Sequence, residues 1–360
     1  MHKQRGLRRV LVVGLAGLAI ICAAGVVVLK ASDIQVRRLL RVEPLPVACY
    51  PSPSGIRLPL GGRAGDTWEN APSLPRAQDE VRAVTVARRI IVGSGIVPKH
   101  GVLGGLASLD VLYSFDPQTG RYEPLVPLPV RADHPAFAAH GDDLYVLGGW
   151  SDGVPNGRAF RLSGGAWDEL PALPTPRAGA AAAVVGDRIY VIGGSGAKHD
   201  GGSLTGMRTV EAFDVATGSW LSLPDLPTPR HHHAATAVGP VITVVGGRDG
   251  GLFSVAAVEQ LDTTTGRWTE VRPLPLAVGA PTAAAVGGRV VVAGGGDDAE
   301  GWATPAAWIL RRDRWERLPD LQVGRHGHGM AALDGTVYVF GGSPCAGYGV
   351  TDSVERLALR

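Results

Sequence analysis

IIVGSG at 90–95, LYVLGG at 144–149, IYVIGG at 189–194, ITVVGG at 242–247, VVVAGG at 290–295 and VYVFGG at 337–342 are six versions of one phrase, an apolar run stopped by glycines. The runs are rich in valine, isoleucine and tyrosine, which suit a pleated, half-buried surface, and the glycines mark sharp bends or close backbone approach. Each phrase therefore reads as a short strand ending at a crowded place. Downstream of most phrases a second apolar segment leads through a polar turn to an aromatic residue. The clearest turns are DPQTGRY at 116–122, DVATGSW at 214–220 and DTTTGRW at 262–268. Aspartate opens these turns and glycine supplies the left-handed residue, which is hairpin chemistry. Trp167 and Trp315 take the aromatic place in looser copies. A Leu/Pro stretch ending in arginine follows, as in WDELPALPTPR at 167–177 and WLSLPDLPTPR at 220–230.

Each copy thus encodes four short antiparallel strands with a period of about 50 residues and a glycine pair. That pattern resembles the kelch-repeat family over residues 67–360 and implies an all-β, six-bladed kelch-type β-propeller. The copies depart from the family pattern where Gly93-Ser94-Gly95 replaces the pair and Tyr122 replaces tryptophan. One four-stranded sheet cannot bury both faces alone, whereas blades packed face to face around an axis can. The tryptophans are expected as core wedges between blades. The last glycine pair is followed by enough chain for one more strand, SVERLAL at 353–359, so the sixth blade lacks its outermost strand. DTWENAPSLPR at 66–76 carries that strand's motif, which predicts closure of the ring by the N-terminal strand joining the last blade and no open sheet edge.

Upstream the chain changes character. Residues 1–9 form a basic tail, and 10–29 are an uncharged run (VLVVGLAGLAIICAAGVVVL) whose twenty residues match a bilayer core of about 30 Å as a transmembrane helix or signal anchor. Cleavage near Cys22-Ala23-Ala24 is the competing reading and would give a secreted protein. Residues 30–66, with Pro44, Pro46, Pro51, Pro53 and Pro59, are expected as a linker. Either outcome places the propeller on the extracytoplasmic side. There Cys49, just before the closing strand, and Cys345, in the last blade, are candidates for a structural disulfide; two unrelated thiols are the alternative.

The balance of 35 basic against 33 acidic residues gives no general case for nucleic acid. No Gly-x-Ser-x-Gly, phosphate-binding loop, zinc-finger spacing or His-Glu-x-x-His is present, so no cofactor is expected. Three consecutive histidines, 231–233, cannot all point one way on a strand, and a metal would need imidazoles converging from separate blades; no metal site is expected. Basic residues recur where each innermost strand begins: Arg131, His134, Arg177, Arg230, His232, Arg325 and His328. Rotation of the repeat would set them in a ring, and guanidinium groups suit carboxylates. An anionic ligand, an acidic peptide or glycan, is therefore expected. The competing role for these arginines is bonding to turn carbonyls. The recurring Glu211, Glu259 and Glu355 read as blade-to-blade hydrogen bonding or solvated positions, not as catalytic residues. The expected function is a membrane-anchored binding or scaffolding module for a protein or acidic glycan. The alternative is a carbohydrate-active enzyme resembling the sialic-acid mutarotase type.

Overall fold

The structure, a computed structural model, describes the backbone of 12–14, 17–22 and 25–30, and residues 67–99, 105–196, 204–250, 253–299, 301–345 and 349–359. Six four-stranded antiparallel sheets follow one another in the propeller region. The first consists of Arg82–Val86, Arg89–Gly93, Leu112–Asp116 and Arg121–Pro124. Each blade runs from an innermost strand outward, and the next innermost strands begin at Ala136, Ala181, Ala234, Thr282 and Gly329. The sixth blade is built from both ends of the propeller: Gly329–Leu333, Thr336–Phe340 and Val354–Ala358 are completed by Glu69–Ala71, with Val354 opposite Ala71. Closure is therefore as expected, and the hydrogen-bonding edge of that blade is covered.

The core is divided by the blade interfaces. Six clusters of buried apolar side chains are present, each drawn from two neighbouring blades. Tyr145, Leu147 and Ala159 of the second blade, for instance, meet Ile189, Val191 and Phe213 of the third. The outermost-strand aromatics lock the same interfaces. Trp220 Nε1–H donates to the Pro171 carbonyl at 2.8 Å, Trp268 to Pro224 at 3.0 Å, Trp167 to Pro127 at 2.8 Å, Trp315 to Arg272 at 2.9 Å and Trp68 to Pro319 at 2.9 Å. The Tyr122 hydroxyl makes the equivalent bond to the Pro72 carbonyl at 2.8 Å, so the departure from tryptophan keeps the donor. These residues combine apolar bulk with one polar handle, which is why they repeat at this place.

The glycine pairs end the second strands. At Gly246 and Gly247, φ is +61° and +102°, and a Cβ on Gly247 would stand 2.8 Å from the His231 carbonyl oxygen. Side chains are excluded there by both conformation and space. Second-to-third strand loops and fourth-to-first connections open on this end of the blades, while the Asp-initiated turns lie at the other. In the first of those turns Asp116 Oδ1 accepts the Gln118 N–H at 2.8 Å.

The apolar run expected as a helix over 10–29 instead carries three strands, Val12–Gly14, Gly17–Cys22 and Gly25–Lys30, paired as an antiparallel meander. No helix among the described residues is long and apolar enough to cross a membrane. Valine and isoleucine, which dominate the run, favour extended backbone outside lipid, and glycines interrupt it. Residues 31–66, including Cys49, lie outside the described residues. Cys345 is buried and disulfide-bonded.

Candidate functional site

The arginines of the expected ring have other partners. Arg177, Arg230 and Arg325 are at most 1% exposed, and each pairs with a glutamate on the third strand of its own blade. Arg177 reaches Glu211 at 2.5 Å, Arg325 reaches Glu355 at 2.6 Å, and Arg230 bonds Glu259. The same guanidinium groups hold backbone carbonyls: Gly246 and Ala257 for Arg230, at 3.0 and 2.8 Å, and Gly341 and Ser353 for Arg325, both at 3.0 Å. Each arginine thus fastens the end of the second strand to the start of the third. Arg131 lies one residue out of this register, with its side chain 75% exposed and 3.3 Å from Asp110. The position equivalent to Arg177 is Ala132 in the second blade, Val278 in the fifth and Gln78 in the first. The glutamate position in those blades is taken by Phe160, Trp308 and Tyr113. Sequence reasoning found the recurrent arginine and the recurrent glutamate but did not join them; their occurrence in the same three blades was the available signal.

Two residues further on, the chain makes a belt around the axis. Glu80, His134, Gly179, His232, Ala280 and Gly327 occupy one position in the six blades, and all have positive φ, between +49° and +62°. Backbone bonds join neighbours. Gly179 N–H donates to the His134 carbonyl at 3.0 Å, His232 to Gly179 at 2.8 Å, Ala280 to His232 at 2.8 Å and Gly327 to Ala280 at 3.3 Å, while Val81 N–H reaches Gly327 at 2.8 Å. The residue before each belt position pairs with the residue after the glycine motif: Asp79 with Ile96, Asp133 with Trp150, Ala178 with Ser195, His231 with Arg248, Gly279 with Gly296 and His326 with Ser343. The repeat therefore delivers a second ring of side chains just outside the belt.

This geometry sorts the histidines. His134 and His232 stand on the belt, His231 and His326 before it, and His233 and His328 after it, all buried. His134 Nδ1 is 2.8 Å from Asp133 Oδ1, and its Nε2 is 3.3 Å from Glu80 Oε2. Ser108 Oγ–H donates to the other Asp133 oxygen at 2.6 Å. Trp150 meets the His134 ring edge-on at 4.8 Å, and the His232 ring lies 4.7 Å from that of His134. His231 and His232 face each other through their Nδ1 atoms at 2.6 Å, within hydrogen-bond distance. Arg248 reaches Asp298 at 2.7 Å. Glu80, Asp79, Asp133 and Arg248 had not been singled out in the sequence, because the belt and pre-belt places change residue type from blade to blade and so form no recurring motif.

Burial sets the charges. It pushes His134 down, but the Glu80 charge and the bonds to Asp133 and Glu80 raise it to about 9, so His134 is a cation held between two carboxyl groups. Burial pushes Glu80 up, and His134, His232 and Arg82 outweigh it and hold Glu80 well below its ordinary value. Asp79 is raised well above its own by burial and by Glu80. His231 falls to about 3 through burial and the Arg248 charge. Inside the belt an axial cavity of about 130 Å³ is lined by Glu80, Arg82, His232, His328 and the small residues that begin the innermost strands. Among the described residues Arg82 is the one arginine on it. Arg82 donates to the Pro135 carbonyl at 2.9 Å and lies 3.5 Å from Glu80.

The comparisons agree with this architecture. The family described as the KLHDC2/KLHL20/DRC7 Kelch-repeats domain matches residues 82–295 and 134–342. The Kelch-like protein terF of Aspergillus terreus (strain NIH 2624 / FGSC A1156) is 26% identical over 199 residues, 51% of this chain and 41% of that protein. This chain therefore spans less than half the length of that relative. With six four-stranded blades, ring closure from both ends and a family match over residues 82–342, the chain belongs to the kelch-repeat family.

Proposed function

We propose that the protein is a tethered extracytoplasmic interaction module that binds a protein partner with the belt-side face of its propeller. One observation carries this reading. The exposed large hydrophobics among the described residues are Val126, Val154, Phe253 and Val323, and all four sit in connections that open on that face. Phe253, at 70% exposure, is the largest. Exposed apolar side chains on loops of a rigid scaffold are how recognition surfaces are built, and aromatic anchors carry a large share of the energy. Replacing Phe253 with aspartate is expected to weaken partner binding by at least 2 kcal/mol, about 30-fold. The check is in situ cross-linking of the full chain followed by partner identification, with Gln118→Ala on the opposite face as control. Partner capture that survives Phe253→Asp, or that Gln118→Ala abolishes, assigns recognition elsewhere.

An anionic ligand has Arg131 as its remaining exposed arginine from the expected ring, and Asp110 already neutralises it. The sugar-acid enzyme alternative needs converging arginines and a roomy site. The axial cavity has one arginine and about 130 Å³, against roughly 300–1,000 Å³ for pockets that enclose organic ligands. Protein recognition is the better supported reading.

The tether rests on the length and composition of 10–29. In lipid, an open three-stranded sheet would leave edge N–H and C=O groups without partners, so the same run inserted in a bilayer becomes a helix. The Cys345 disulfide supports an oxidising compartment. Peptide mapping under non-reducing conditions is expected to join Cys345 to Cys49, in protein that stays with the membrane through carbonate washing. A cytoplasmic, carbonate-extractable protein, or free Cys49, would contradict the proposal.

A further inference from the structure

The belt holds a departure from its own rule. A positive φ near +50° favours glycine, and Gly179 and Gly327 meet that demand, with alanine at 280. The three remaining positions, Glu80, His134 and His232, carry long polar side chains in the same strained conformation. Strain of this kind persists where the surrounding structure enforces it, commonly at functional sites. These are also the three residues whose ligand-type atoms converge, each offering one atom within 4.8 Å of the others. They come from three different blades. The convergence that the run of histidines cannot supply by itself is supplied by rotation of the repeat.

We propose that Glu80, His134 and His232 bind a divalent first-row transition metal ion, with zinc as the reference ion. Two imidazole nitrogens and one carboxylate oxygen form a borderline donor set that suits Zn²⁺ and Fe²⁺ better than Mg²⁺ or Ca²⁺. Donors about 2.0–2.2 Å from a tetrahedral zinc stand about 3.4 Å apart. His134 Nε2 and Glu80 Oε2 are already 3.3 Å apart, and the ion takes the place of the proton that Nε2 of the metal-free His134 cation directs at Glu80, which is released to solvent. The outer arrangement matches as well. Asp133 holds His134 Nδ1, leaving Nε2 directed at Glu80, and Ser108 in turn holds Asp133. A carboxylate behind a ligating histidine fixes the ring and strengthens the donor. His231 plays the orienting part for His232, and Trp150 packs against both ligand rings. Glu80 and His232 also line the axial cavity, so water or a small anion can complete the coordination from that side.

The fold itself supplies the control variants. Glycine occupies the belt in two blades, so Glu80→Gly and His232→Gly remove a ligand while relieving backbone strain. The test uses the full chain, detergent-solubilised, without a histidine tag and stripped by chelator. Co²⁺ is titrated by visible absorption and then displaced with Zn²⁺. The wild type is expected to take up Co²⁺ saturably, about one ion per chain, and to release it to Zn²⁺. Asp133→Asn is expected to weaken binding by about 10–100-fold. Glu80→Gly and His232→Gly are expected to abolish saturable uptake while keeping the wild-type circular dichroism. Absence of saturable uptake by folded wild type overturns the proposal. So does unchanged affinity in folded Glu80→Gly and His232→Gly, which would place the ion elsewhere. A partner-binding face that fails the Phe253 test leaves this result unaffected, because the two readouts are independent.

Discussion

Arg230→Val alone is expected to destabilise the propeller by about 3–5 kcal/mol, whereas Arg230→Val combined with Glu259→Trp recovers most of that loss. The single change strands the Glu259 carboxylate at zero exposure and takes donors from the Gly246 and Ala257 carbonyls. An unpaired buried charge is the expensive outcome, while replacing both partners by apolar groups of suitable shape is often neutral. The protein already contains both solutions. Blades three, four and six use Arg177–Glu211, Arg230–Glu259 and Arg325–Glu355. The fifth blade places Val278 and Trp308, and the second Ala132 and Phe160, at the same two positions. The double variant rewrites the fourth blade in the terms of the fifth. Chemical denaturation of wild type, both single variants and the double variant gives the coupling directly. An Arg230→Val protein that unfolds at the wild-type midpoint would free Arg230 from structural duty and restore it to the ligand-binding ring.

That pairing also shows which information the sequence exposes and which it hides. Strand and turn signals are local, so the six phrases, the Asp-initiated turns and the closing strand at Glu69–Ala71 were legible at once. The aromatic wedges were legible too, because their motif is contiguous. The site was not legible in the same way. Position 80 is separated from 134 and 232 by whole blades, and only the rotation of the ring brings their side chains together. The relevant signal is registration: with the six belt residues aligned, glutamate and histidine stand where glycine belongs. The arginine ring erred in the opposite direction. It aligned Arg131 with Arg177 although Ala132 is the equivalent residue, and it read recurrence as exposure when recurrence here marks a fastening shared by three blades. The 10–29 run shows a further limit, since apolar content alone does not choose between helix and strand until the solvent is specified.

Acid is expected to unfold the protein earlier than its carboxylates alone would dictate, and His328→Gln is expected to delay that unfolding. Burial, Arg325 and His326 push His328 well below its ordinary value, and burial is the main cause of the lower value at His326, with Asp298 opposing and Arg248 reinforcing it. Thr282 Oγ1 faces His328 Nε2 at 2.5 Å, and the Glu80 charge opposes the depression of both histidines. A histidine neutral in the folded protein and titrating near 6.5 when unfolded contributes stability that is intact above pH 6.5 and is lost as pH falls toward its folded value. While such a group stays neutral in the folded protein and is charged in the unfolded one, it steepens the loss of stability with falling pH by up to about 1.4 kcal/mol per pH unit. His134 works with the opposite sign. Raised to about 9, it contributes fully below pH 6.5 and loses its contribution as pH rises through 9. The acid limb therefore draws on His231, His232 and His233 as well as His326 and His328, all depressed chiefly by burial, and the alkaline limb on His134. Glutamine at 328 can keep the bond to Thr282 and cannot take up a proton. Denaturant midpoints measured from pH 7 to 5 should fall less steeply in His328→Gln than in wild type, by the contribution of one histidine. Parallel limbs in the two proteins would mean that His328 is protonated at no cost, which its zero exposure and its neighbours Arg325 and His326 argue against.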